Sequence, residues 1–299
     1  MRTAFIKQLI EEAKDNTKIF LIVGDLGFNV VEEFAALFPD RYLNAGVAEQ
    51  NMVGVACGLA LEGYNVYIYS IANFPTLRCM EQIRYDIAYH DLNVKIVAVG
   101  GGYAYGTLGA SHHATEELGM LRTIPNMTIC APGDPIETES IVKWTSHYDG
   151  PVYLRLGKAG EPVVHKDKID SIQKGDILSV IKGEFTAIIS TGAMLSYAND
   201  FILSNKAKAS LYSCPFIKPI KKMQLKDIAD NHKEIITIEE HQSSGGFGSA
   251  ILEIYNDLFE CGDIKSFPKI KRIAIQDKFC SISGSQDYLR NLAELTLSI

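Results

Sequence analysis

The sequence predicts an α/β fold: two doubly wound domains, each with a mostly parallel sheet flanked by helices. Three observations carry this. Short β-rich runs alternate with helix-length stretches along most of the 299 residues, the pattern of strands joined by crossover helices. The alternation lapses once, across the polar, aperiodic residues 161–180, and then restarts. The composition is 47% hydrophobic and 22% charged, with 24 Gly and 10 Pro, ordinary for a globular chain whose length suits two domains.

The elements follow in order. MRTAFIKQLIEEAKD sets Phe5, Ile6, Leu9 and Ile10 on one side of an N-terminal helix. IFLIVG (19–24) is the first strand, followed by a helix at 48–62 within NAGVAEQNMVGVACGLALEG. There Gly54 and Gly58 lie one turn apart and apolar residues wrap the circumference, which predicts a helix buried on every side, against another subunit. VYIYSI (66–71), VKIVAV (94–99), MTICA (127–131) and VYLRL (152–156) extend the sheet, with helical stretches around 75–90, 114–122 and 135–147. A boundary in the polar stretch divides the chain into domains 1–165 and 166–299. In the second, FTAIIST (185–191), SLYS (210–213), EIITIEE (234–240) and RIAIQ (272–276) are strands, and 194–205 and 246–259 are helices.

Charge and cysteine usage narrow the function. The net charge is −7 and no Lys/Arg block occurs, so neither a nucleic-acid groove nor an anionic membrane surface is expected as a partner. No segment approaches the length of a membrane span, and the N-terminus lacks the unbroken apolar run of a signal peptide. A soluble, cytoplasmic protein is expected. Its six cysteines are scattered without metal-ligand spacing, as reduced structural thiols are.

Glu49 stands at the head of an otherwise small and apolar segment, in the first turn of its helix, where free N–H groups favour negative charge. Locally it is either a plain helix-start acid or a functional carboxylate. Three further stretches bear on the choice: GGGYAYGTLGASHHATEELGMLRTIPNMTICAPGD (100–134), YDGPVYLRLGK (148–158) and IEEHQSSGGFGSAI (238–251). With the AEQN acid, and in this order, they resemble the C-terminal half of transketolase, its pyrimidine-binding and third domains. The IPNM and SHHATEEL runs favour transketolase, or the related deoxyxylulose-phosphate synthase, over 2-oxoacid dehydrogenase β subunits.

The resemblance implies roles for particular residues. Glu49 matches the family glutamate that hydrogen-bonds N1′ of thiamine diphosphate and so promotes ylide formation. Ile71 stands where an aromatic commonly stacks on the pyrimidine, with Phe74 one turn further on. His112 matches a substrate-contacting histidine, and His113 lines the pocket or caps a helix. Adjacent histidines point apart, so no metal site is expected in this chain. Lys158 aligns with an arginine that binds substrate phosphate, and Arg155 lies nearby. Leu108 replaces an aspartate that contacts a sugar hydroxyl, which implies a non-standard sugar.

GDLGFN (24–29) lacks the second glycine and the downstream asparagine of the family's diphosphate and Mg²⁺ motif. The resemblance therefore implies a split transketolase whose separate N-terminal subunit holds the diphosphate and Mg²⁺, in an α2β2 heterotetramer acting on small sugars. Glu239, Glu240, His241 and the GGFG stretch are expected to be structural. The alternatives are a deoxyxylulose-phosphate-synthase-like or 2-oxoacid dehydrogenase β-type enzyme, or a non-catalytic structural partner. The presence of Glu49 and His112 speaks against the last.

Overall fold

A computed structural model describes all 299 residues and resolves them into two sheets. In chain order the first half holds α1 (Arg2–Asp15), β1 (Ile19–Val23), α2 (Glu32–Leu37), β2 (Tyr42–Asn44), α3 (Glu49–Leu61) and β3 (Asn65–Ile71). A mixed helix follows: a 3₁₀ turn at Leu77–Cys79, α4 (Met80–Gln82), then a π-helical stretch at Ile83–Ala88. β4 (Val94–Val99), α5 (Glu117–Arg122), β5 (Thr128–Cys130), α6 (Pro135–Ser146) and β6 (Val152–Leu156) complete it.

The second half contains β7 (Leu178–Ile181), β8 (Thr186–Ser190), α7 (Met194–Asn205), β9 (Ser210–Ser213), β10 (Phe216–Lys218) and α8 (Lys222–Asn231). β11 (Glu234–Gln242), α9 (Phe247–Glu260), β12 (Lys269–Ile275) and α10 (Gln286–Leu292) follow. No helix is long and apolar enough to cross a membrane.

The first sheet runs β10-β5-β6-β4-β3-β1-β2 and the second β12-β11-β8-β9-β7. All neighbours are parallel except β10 on β5 and β7 on β9. Every residue of β4 and β6 is buried, as strands covered on both faces must be. β10 is the surprise: a strand from the second half of the chain closes the edge of the first sheet, with Phe216 opposite Cys130. The two halves thus share a sheet as well as an interface.

This topology decides where chemistry can sit. From β1 the chain moves outward to β2, while β3 pairs on the other flank of β1. Such a switch point leaves a crevice at the carboxyl ends of the strands, the usual ligand position in open α/β sheets. The loops that follow β1, β3, β4 and β6 all emerge at those ends.

One side of α3 packs on its own sheet: Met52, Val53, Ala56 and Cys57 are buried, whereas Gln50, Asn51, Gly54, Gly58 and Leu61 are exposed in the single chain, the side on which another subunit is expected. One expectation needs correction.

Arg155 is not a free strand-end cation for phosphate. It is buried, its Nε 2.7 Å from Glu117 Oε1, and its Nη2 donates to the carbonyls of Ala114 at 2.6 Å and Glu240 at 3.0 Å. A side chain at Gly101 would collide with it, so glycine is needed there. Glu240 Oε1 in turn accepts from the Tyr103 backbone at 2.7 Å, and its other oxygen is 2.6 Å from Arg290 Nη2. These contacts lock the second half against the loop after β4.

Candidate active site

Glu49 opens α3 and tucks under the ends of β1 and β3. Gly24, just past β1, makes room: a Cβ there would lie 3.4 Å from Glu49 Oε1 and 3.3 Å from Ser70 Oγ. Ser70, near the end of β3, donates its hydroxyl to Glu49 Oε1 at 3.2 Å. Arg78 donates from Nη1 to Glu49 Oε2 at 2.9 Å. The carboxylate side chain is 1% accessible, and a buried carboxylate needs such donors to keep its charge.

Phe74 adjoins this pair. The Arg78 guanidinium lies over its ring, 4.6 Å from the centroid, and the His112 ring meets it edge-on at 5.3 Å. Asn73 donates to the Ser111 carbonyl, tying the loop after β3 to the loop after β4. Ser111 Oγ lies 3.0 Å from His112 Nδ1 and orients the imidazole. Glu49, Arg78, Phe74 and His112 therefore form one contiguous chain of contacts across the crevice.

The other residues singled out by sequence lie around this chain or behind it. Ile71 ends β3, half-buried, and its carbonyl accepts from the Phe74 backbone at 2.8 Å. Leu108 is 53% accessible in the 3₁₀ turn Gly106–Leu108, just ahead of His112. His113 is buried edge-on against Tyr103 at 5.0 Å, and burial holds its imidazole below its ordinary pKa, hence neutral. Lys158 is exposed just past β6 and makes no ion pair. Arg78 and Ser70 were not picked out by sequence, although Arg78 lies four residues beyond Phe74, one helical turn.

The EEH and GGFG stretches are structural. Glu239 caps α9, accepting from the Phe247 and Gly248 backbone N–H groups at 2.6 and 2.7 Å, so these two N–H groups are not free to cradle phosphate. His241 is buried and pushed down to about 4 by that burial; its neutral Nε2 accepts from the Gly119 backbone at 3.3 Å.

The residues present fit one end of thiamine diphosphate. Glu49 and Phe74 already receive a flat group that donates an in-plane hydrogen bond, the Arg78 guanidinium. An aminopyrimidine carrying a proton at N1′ offers the same two features. For the diphosphate and its metal this crevice has little to offer: in the 24–29 loop, Asp25 is exposed and accepts from Asn44 at 3.0 Å. The one group of three metal-ligating side chains is Asp134, Glu137 and His165, on α6 and in the segment between the two sheets. Asp134 Oδ2 there already accepts from the Val164 and His165 backbones, each at 2.9 Å, and lies 3.1 Å from His165 Nδ1.

Known proteins resemble the chain along its whole length. The family profile described as "Transketolase, pyrimidine binding domain" matches residues 1–160, and "Transketolase, C-terminal domain" matches 175–295. A transketolase C-terminal section from Methanocaldococcus jannaschii is 36% identical over 298 residues, covering 97% of this chain and 90% of that protein. One of the subunits of an apulose-4-phosphate transketolase from Phocaeicola vulgatus is 34% identical over 260 residues, 86% of this chain and 83% of that protein. A solved split gene transketolase, described as an inactive β4 tetramer, superimposes with a TM-score of 0.83 at 32% identity. That match covers 99% of this chain and 93% of the other.

Proposed function

The chain belongs to the transketolase family of thiamine-diphosphate-dependent transferases, and from that premise we propose that it is the C-terminal subunit of a split enzyme. The enzyme moves a two-carbon ketol unit between sugars. A separate N-terminal subunit holds the diphosphate and Mg²⁺, in an α2β2 heterotetramer. The observation that carries this reading is Glu49, a buried carboxylate at the switch point with Phe74 and His112 in one line of contact. Support for the split comes from relatives that match nearly end to end, one a C-terminal section and one a single subunit of a larger enzyme. The β4 assembly described as inactive is in keeping with a need for a second kind of subunit.

When bound, thiamine diphosphate supplies a nucleophilic carbon and a store for the two-carbon unit. The side chains of this subunit do the rest. Glu49 would hold the proton at N1′ of the aminopyrimidine, and Phe74 and Ile71, at and just past the end of β3, would offer the ring its apolar contacts. His112 exchanges a proton with substrate oxygens. His113, neutral and buried, backs the loop. Lys158 holds the substrate phosphate as a point charge.

Leu108 presents carbon where the family commonly has a hydroxyl acceptor, which favours a deoxy, branched or otherwise modified sugar. The relative that acts on apulose 4-phosphate supports a donor other than xylulose 5-phosphate.

The test is reconstitution. Calorimetry should find weak or no thiamine diphosphate binding by this chain alone, and tight binding once the N-terminal subunit and Mg²⁺ are added. Micromolar binding by the chain alone overturns the split reading. Ketose donors should turn over and pyruvate should not; the reverse points to a synthase or dehydrogenase.

A further inference from the structure

The two side chains assigned above to the aminopyrimidine are both engaged by a third. Arg78 Nη1 lies 2.9 Å from Glu49 Oε2, and its guanidinium carbon lies 4.6 Å from the centre of the Phe74 ring. The two ends of this pair differ in freedom. The Glu49 side chain is 1% accessible and fixed under β1 and β3, whereas that of Arg78 is 46% accessible. The Arg78 backbone is held separately, since its carbonyl accepts from Gln50 Nε2 at 2.8 Å and it sits inside the Leu77–Cys79 turn. The guanidinium can therefore swing into solvent while the turn stays in place.

The chemistry of the guanidinium matters here. It is flat, it stacks on aromatic faces, and it donates N–H groups in its own plane. An aminopyrimidine seated on Glu49 and Phe74 uses the same aromatic face and the same carboxylate edge. Two flat groups cannot share both. We propose that Arg78 is a place-holder, occupying the aminopyrimidine position in the unloaded subunit and withdrawing to solvent when the cofactor enters. This rests on the reading of Glu49 and Phe74 as cofactor contacts.

The device solves a definite problem. Without cofactor or Arg78, a buried Glu49 carboxylate would be left with the Ser70 hydroxyl and the start of α3 but no opposite charge, which is costly. Arg78 supplies the missing charge until the cofactor replaces it. Because Arg78 is half-exposed, water screens the pair and the competition is mild. A site occupied by its own side chain part of the time binds its ligand more weakly by the fraction of time it is free. Arg78 is thus a positioning residue that tunes cofactor entry.

The experiment compares wild type, Arg78→Gln and Arg78→Lys in two settings. In the complex with the N-terminal subunit and Mg²⁺, Arg78→Gln should bind thiamine diphosphate on the order of three- to tenfold more tightly, mainly through faster association. As an isolated chain, Arg78→Gln should melt at a lower temperature near neutral pH. Adding Glu49→Gln should erase that loss by removing the stranded charge, and Arg78→Lys should retain part of the protection. Weaker or unchanged cofactor binding by Arg78→Gln overturns the proposal, and weaker binding means that Arg78 stays on Glu49 in the loaded enzyme. An unchanged melting temperature overturns it too. The site reading fails separately: Glu49→Gln and Phe74→Ala must then both leave cofactor affinity and C2–H exchange untouched.

Discussion

Glu49 is a buried carboxyl at the start of α3, held by the Ser70 hydroxyl and the Arg78 guanidinium. A carboxyl placed in this way can share a proton with a ring nitrogen. Glu49→Gln keeps the size and loses that capacity. In the reconstituted enzyme the cofactor should still dock, while C2–H exchange in deuterated buffer, followed by NMR, should slow by roughly a hundredfold or more. Unchanged exchange returns Glu49 to a plain helix-start role. Leu108 tests substrate choice. A sugar hydroxyl facing it lacks an acceptor, at a cost of about 1–3 kcal/mol. Xylulose 5-phosphate should therefore be a poor donor, and Leu108→Asp should raise its kcat/KM relative to the natural donor. Rapid turnover of xylulose 5-phosphate by the wild-type pair removes this reading.

Among the elements, α6 carries the clearest pH dependence. Its N-cap Asp134 accepts from the Glu137 backbone at 2.8 Å, and Glu137 is fully buried near His165, Oε1 to Nε2 3.5 Å. Burial pushes Glu137 up to about 7, opposed by the charge of His165. Burial pulls His165 down, but its hydrogen bond to Asp134 and the charge of Glu137 outweigh it and raise the imidazole above its ordinary value. Both folded-state values thus lie above the unfolded ones. Their contribution is complete below the ordinary carboxylate and imidazole ranges respectively and is lost as pH rises through the raised values. The melting temperature of the chain, followed by circular dichroism, should fall as pH rises from about 5 to above 7. In Glu137→Gln the decline should be shallower, and an identical slope would show that Glu137 is not its source. VKIVAV is a strand from end to end: four of its six residues are β-branched, and it lies between a polar turn and a glycine-rich loop. β10 has three residues between Pro215 and Pro219 and no period, so its place on the first sheet could not be read from its letters.

For the whole molecule, the joint between the two sheets is the decisive structure. Arg155, Glu117, Glu240 and Arg290 link β6, α5, β11 and α10 beneath the loop that carries His112 and His113. Burial raises the Glu117 carboxyl, and Arg155 opposes the shift. Replacing Arg155 with Met strands a buried carboxylate and should cost about 3–5 kcal/mol. The urea midpoint should drop accordingly, and His112 should lose its alignment, lowering kcat in the reconstituted enzyme. A phosphate-binding role for Arg155 would instead raise KM for phosphorylated sugars at unchanged stability. α3 leaves Asn51, Gly54, Gly58 and Leu61 exposed, and the two glycines, one turn apart, suit close approach by another subunit.

By itself the sequence determined the alternation of strands and helices, the restart after the polar stretch, and the pairing of an acid at a helix head with a Gly-rich loop and histidines. These are local patterns, set by side-chain period and backbone preference within a dozen residues. Only the tertiary structure decided that Arg155 is a buried strut, that β10 closes the first sheet, and that Arg78 engages Glu49 across 29 positions of sequence. A parallel sheet gathers the carboxyl ends of strands that lie far apart in the chain. Which charges meet there depends on strand order, and strand order is a property of the folded sheet.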